Sequence, residues 1–165
     1  MDTFHPSWSF VLRHPAHFFA LGGGVGLLRR APGTVGTLLA FPLFWILDRS
    51  LSPHLFLAVL AGLFLFGVWA CQVTGRMPRH PDHPGIVWDE VVAFLLVLFF
   101  TPRGILWQAF AFLLFRVFDI LKPPPIGYID ARYKHGFGVM LDDLIAALYT
   151  LLVFAIAKTL MDNVT

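Results

Sequence analysis

Reactive sulfur is almost missing from this chain. One cysteine in 165 residues, Cys71, excludes an intramolecular disulfide framework and a zinc–cysteine centre. It lies inside an apolar run, where a thiol packs as an inert small hydrophobe. No serine stands in a nucleophile-elbow motif, and no glycine-rich loop ends in Lys-Ser or Lys-Thr, so those routes to ester or nucleotide hydrolysis have no parts here. Charge is also scarce. Asp, Glu, Lys and Arg make up 13% of the residues, against about 25% in an ordinary soluble domain. The net charge of +2 and the lack of an arginine–aromatic patch exclude nucleic acid as a partner. His5, His14, His17, His54, His80 and His83 show no metal-ligand spacing. No cleavable leader is expected, because Gly22-Gly23-Gly24 interrupts the one short apolar segment near the start.

Hydrocarbon is abundant: 58% of the residues are hydrophobic and the mean hydropathy is +0.74. This composition points to an integral membrane protein, with a densely apolar soluble core as the alternative. Five hydrophobic segments stand out, at about Thr37 to Leu47, Leu55 to Gln72, Val87 to Phe100, Ile105 to Phe118 and Val139 to Leu160. Connectors containing Pro53, Pro102 and Pro123-Pro124-Pro125 separate some of them. The expected fold is all-α, a compact polytopic bundle of about five hydrophobic helices. Residues 1–28 read as an N-terminal interfacial segment and 29–165 as the helical membrane domain. Three segments fall short of the roughly 20 residues that cross hydrocarbon, so tilting, bilayer thinning or polar extensions are expected. If all five span, one side of the membrane carries Arg13, Arg29, Arg30, Arg76, Arg79, Lys122, Arg132 and Lys134, and the other only Arg49, Arg103 and Lys158. The positive-inside rule then places the first side in the cytoplasm.

The acids fall on that same side. Of ten Asp and Glu residues, four form adjacent pairs, Asp89-Glu90 and Asp142-Asp143, each leading into an apolar run, and Asp119 closes another. An ionisable group beside hydrocarbon is a functional hypothesis by default. Oxygen-only clusters suit a hard divalent cation such as Mg²⁺. The competing reading is helix capping, since acids favour the positive end of a helix dipole. That explains one acid at each start better than two. Asp119 stands at a helix C-terminus, where it opposes the dipole. Arg116 and Lys122 lie three residues to either side of it, on the same helical face. Arg116 is thus a local ion-pair partner or a substrate contact, and Lys122 a point charge suited to phosphate. The loop Ile129 to Gly136 offers Arg132 as a cation for an anionic substrate. It also offers His135, whose ordinary pKa near 6.5 suits a general acid. A basic loop facing anionic lipid headgroups is the structural alternative. In Gly33-Thr34-Val35-Gly36-Thr37, backbone N–H groups and Thr34 are candidate phosphate contacts, and Thr34 or Thr37 serves equally as a plain N-cap. Carboxylates with a lysine and an arginine fit metal-assisted phosphoryl transfer or hydrolysis.

Four strings carry a resemblance. Gly33-Thr34-Val35-Gly36-Thr37, Ile86-Val87-Trp88-Asp89-Glu90, Phe115-Arg116-Val117-Phe118-Asp119-Ile120-Leu121-Lys122-Pro123 and His135-Gly136-Phe137-Gly138-Val139-Met140-Leu141-Asp142-Asp143 resemble the phosphatidylglycerophosphatase A family, in the family's order. Ala93 and Pro124 depart from its usual pattern and touch no proposed ligand. The resemblance implies a magnesium-dependent lipid phosphatase of the bacterial inner membrane, with a membrane phospholipid substrate and no obligate protein partner. It implies that Asp89, Glu90, Asp119, Lys122, Asp142 and Asp143 belong to the active site, the five acids as metal ligands. A cation-coupled transporter and a CDP-alcohol phosphotransferase are the alternatives. The first expects acids at mid-membrane or paired repeats, and the second a spacing of aspartates that is not present.

Overall fold

The computed structural model describes residues 6–76 and 83–162. Arg79, used in the charge count above, and His5 and His80 lie outside them. Every element among the described residues is helical. Two short helices, α1 (Trp8–Val11) and α2 (Pro15–Ala20), lead through a tight 3-10 turn at Gly22–Leu27 into α3 (Pro32–Ser50) and α4 (Pro53–Gly75). Then follow α5 (Trp88–Phe100), α6 (Ile105–Leu121), the short α7 (Ile126–Arg132) and α8 (Gly136–Asp162). All five hydrophobic segments are helices, and three begin earlier than hydropathy suggests, α4 by two residues at Pro53 and the others by more. Pro32 opens α3 and Gly136 opens α8. Prolines also open α2 and α4, where a fixed φ and a missing N–H cost nothing. Lys122 ends α6 by turning left-handed (φ 44°) before the three prolines, which bar further helix.

The shortest of the five, α5, is the centre. Its 13 residues span about 20 Å, and Val91, Val92, Ala93, Phe94, Leu95, Val97 and Leu98 are all buried. Helices α3, α4, α6 and α8 surround it. Phe94 meets the rings of Phe41, Phe112 and Phe115 at centroid distances of 5.4, 5.9 and 5.4 Å. Truncating such a side chain to Ala costs about 3–5 kcal/mol. The N-terminal helices join the same body. Ala16 and Ala20 pack on Ala70 of α4, His17 Nδ1 lies 3.0 Å from the Thr74 hydroxyl, and the Val87 N–H donates to the Ala20 carbonyl at 2.9 Å.

The exterior is apolar too. Leu55, Leu65 and Trp69 of α4, Leu106, Phe110 and Leu113 of α6, and Leu148, Leu152 and Ile156 of α8 are exposed. By length and composition, Pro53–Gly75 and Gly136–Ala157 are able to cross a membrane. Such continuous apolar surface suits lipid contact better than water. Hydroxyls inside the bundle are satisfied locally. Thr37, Thr101 and Thr150 each donate to the carbonyl four residues back, at 2.9, 2.8 and 2.9 Å.

Candidate active site

One end of the bundle gathers the starts of α3, α5 and α8 and the end of α6, and with them the acids. Asp89 and Glu90 occupy the first turn of α5. Asp142 and Asp143 lie six and seven residues after Gly136, deeper in their helix than a cap would be, and both are buried. Asp119 is buried two residues before the end of α6. Mutual repulsion couples the five carboxylates as one electrostatic unit.

Two cations answer this charge from opposite directions. Arg116 Nη1 lies 3.2 Å from Glu90 Oε1 and 3.3 Å from the Thr37 hydroxyl, and pairs with Asp119 one helical turn along. Lys122 leaves the helical path, so it does not share the face of Asp119 as its spacing suggests. Its Nζ instead sits 2.7 Å from Asp142 and 3.0 Å from Asp130 of α7. Burial opposes the lysine's charge, but the two carboxylates outweigh it and hold its pKa above the ordinary range. Partial burial likewise opposes the charge of Asp130. Hydrogen bonds from Lys122 and Lys134 outweigh it and keep its carboxyl below the usual range.

Close approach between α3 and α5 depends on glycine. A Cβ on Gly33 would collide with the Glu90 carboxylate, and one on Gly36 would come within 2.7 Å of Val87 Cβ and 3.2 Å of Glu90 Oε2. The glycine motif therefore seats an acid. Neither threonine is the N-cap: Ala31 holds that position in a left-handed conformation, with no side-chain cap. Thr34 is half-buried in the first turn of α3. His135 is exposed, and its Nδ1 accepts the Gly138 N–H at 3.3 Å where α8 begins. Arg132 is exposed at the end of α7. Thr37 and Asp130 are contacts that sequence reasoning did not select. The sequence around Thr37 suggests no more than a helix cap, and the short α7 that carries Asp130 has too few residues for a periodic signal.

Asp89 Oδ1, Glu90 Oε2 and Asp143 Oδ2 are buried and have no hydrogen-bond partner. Three orphaned carboxylate oxygens in one electrostatic unit are a hard donor set, and they fit a divalent cation of the magnesium type. Among the described residues, no three Asp, Glu, His or Cys side chains are already closed into a metal-binding group.

The model of the family described as phosphatidylglycerophosphatase A matches residues 18–158. The chain belongs to this family. It is 44% identical over 159 residues to phosphatidylglycerophosphatase A of Haemophilus influenzae, covering 94% of this chain and 97% of that protein. It is 38% identical over 137 residues to phosphatidylglycerophosphatase A of Escherichia coli, covering 82% and 78%. A relative from Bacteroides thetaiotaomicron, 36% identical over 146 residues and covering 83% and 89%, bears the provisional name phosphatidylinositol-3-phosphatase. No solved structure matches the chain. The phosphatidylglycerophosphatase A match takes in all four strings quoted above and extends back into α2.

Proposed function

We propose that the chain hydrolyses the terminal phosphate monoester of phosphatidylglycerol phosphate, releasing phosphatidylglycerol and phosphate. The reaction depends on Mg²⁺ and takes place at the cytoplasmic surface of the bacterial inner membrane, which the protein crosses several times. One observation carries the reading: five carboxylates, with buried, unpartnered oxygens on Asp89, Glu90 and Asp143, stand at one end of an apolar bundle, where Lys122 pairs with Asp142. A carboxylate cluster alone repels a phosphate dianion. A divalent cation held by Asp89, Glu90, Asp119, Asp142 and Asp143 would reverse that sign and supply Lewis acidity toward the phosphoryl oxygens.

The chain's own groups do the rest. Lys122, steered by Asp142 and Asp130, brings a compact positive charge toward the phosphate and the departing ester oxygen. Arg132 and His135, both exposed beside this end, offer charge and a proton to an incoming headgroup, and Thr34 offers a hydroxyl. The apolar outer faces leave the acyl chains in the bilayer. Gathering of the acids at one end, without paired repeats, speaks against a cation pathway through the membrane.

The test is phosphate release in detergent micelles after EDTA treatment, with phosphatidylglycerol phosphate and a phosphoinositide as parallel substrates. Mg²⁺ should restore activity, Mn²⁺ should restore part of it, and excess Ca²⁺ should inhibit. The larger ion prefers 6–8 oxygens at about 2.3–2.6 Å rather than an octahedron at about 2.0–2.1 Å. Full activity in EDTA would exclude metal assistance. Exclusive turnover of the phosphoinositide would move the substrate to the headgroup in the Bacteroides protein's name.

A further inference from the structure

Among the described residues, Arg116 is the most enclosed cation at this end of the bundle. Lys122, Arg132 and Lys134 belong to the loop and short helix after α6, whereas Arg116 is inside, its side chain only 14% exposed. We propose that Arg116 is a positioning residue. It sets the orientation of Glu90 and Asp119, is itself anchored by Thr37, and does not bind the substrate phosphate. The inference rests on the divalent-cation reading above.

The hydrogen-bond directions support this. The Thr37 hydroxyl donates to the Gly33 carbonyl at 2.9 Å, so its oxygen is left to accept from Arg116 at 3.3 Å. Arg116 in turn donates to Glu90 Oε1 at 3.2 Å and pairs with Asp119. Glu90 is thereby divided: Oε1 is tied to the guanidinium, and Oε2 is buried without a partner. The backbone of α3 is thus linked through Thr37 and Arg116 to acids on α5 and α6. An arginine that binds phosphate needs its planar fork free for two oxygens. Here Nη1 is already committed to two carboxylates and a hydroxyl, and Nε is buried away from solvent with no partner, so neither side of the guanidinium presents an open fork to an incoming phosphate. Groups that orient metal ligands from behind change metal affinity or activity by about 10–100-fold when lost.

The experiment compares wild type, Arg116→Lys, Thr37→Val and Thr37→Ser. Mn²⁺ affinity is read by electron paramagnetic resonance of the purified proteins, folding by melting temperature, and kcat and KM by phosphate release at saturating Mg²⁺. Lysine keeps the charge but carries it as a compact ammonium on a flexible stem, without the fixed placement of the guanidinium. Arg116→Lys should weaken Mn²⁺ binding about 10–100-fold and leave the lipid KM within about twofold. Thr37→Val should weaken it a few fold, and Thr37→Ser should restore it. Unchanged Mn²⁺ affinity in Arg116→Lys with a KM raised about tenfold would overturn the proposal, making Arg116 a substrate contact. If Arg116→Lys fails to fold, the threonine pair decides. Equal behaviour of valine and serine overturns the anchor. If wild type itself takes up no Mn²⁺, the cation reading fails on its own. The kcat and KM of the same variants then decide: a lower kcat at constant KM retains the positioning role, and a higher KM at constant kcat overturns it.

Discussion

The two ends of the bundle hold the same kinds of charge and treat them differently. At the far end, Arg103 pairs with Asp48 at 3.0 Å, with the arginine side chain 84% exposed. At the near end, Arg116 and Asp142 are 14% and 7% exposed and are tied to neighbours on other helices. An exposed pair is screened by water and contributes about 0–1 kcal/mol. Buried carboxylates have no such relief, so an end that gathers five of them needs a compensating cation or a function that justifies the repulsion. Helix α3 joins both ends, opening against Glu90 and closing beside Asp48, which shows that burial rather than residue type separates the two.

The largest effect should come from neutralising an acid at the buried end. Asp89→Asn and Asp143→Asn should each lower phosphate release by about a thousandfold or more, because a shape-conserving amide removes the charge that holds the cation. Their melting temperatures should equal or exceed wild type, since repulsion among the carboxylates is reduced. Near-normal turnover in both would separate the buried end from catalysis. Gly33→Ala should follow. The new methyl must displace the Glu90 carboxylate, lowering kcat about 10–100-fold and destabilising by about 1–3 kcal/mol, as kinetics and urea denaturation would report.

A smaller effect is expected from pH at the rim of the buried end, where Lys122 and Asp130 are partly exposed. Asp130 has a depressed pKa in the folded state, so its stabilisation is present above its unfolded value of about 3.9 and is lost as pH falls through the folded value. Lys122 has a raised one, so its contribution is present below about 10.4 and is lost as pH rises through the folded value. Asp130→Asn should flatten the acid limb of melting temperature against pH. An unchanged limb would detach Asp130 from Lys122. Smallest of all, Arg103→Gln at the exposed end should change stability by less than about 0.5 kcal/mol and leave phosphate release unaltered. A large loss there would erase the contrast.

Much of this was legible beforehand. Hydropathy finds the five long helices because each keeps an apolar run longer than a turn. Acids among so few charges mark the near end, and the spacing of Arg116 and Asp119 foretells their ion pair. What stayed hidden depends on distance in space. Gly33 lies 57 residues from Glu90, and nothing local says that the glycine is small for the carboxylate's sake. Lys122 carries a helical spacing to Asp119 that its left-handed backbone cancels, sending it to Asp142 instead. His135 read as a proton donor from its type, while its place before α8 also makes it a backbone acceptor.

The short, largely buried α5 has a mechanical consequence. Each residue of a helix advances about 1.5 Å and turns about 100°. A slip of one residue would swing Asp89 and Glu90 away from Arg116 and from Gly33, over more than a quarter of a revolution. What prevents it is the fit of Phe94 among Phe41, Phe112 and Phe115, more than a turn farther along the same helix. The aromatic core therefore works as a key in a shaft. It fixes the angular setting of the acid pair, so a substitution that merely loosens the rings can mistime a site it never touches.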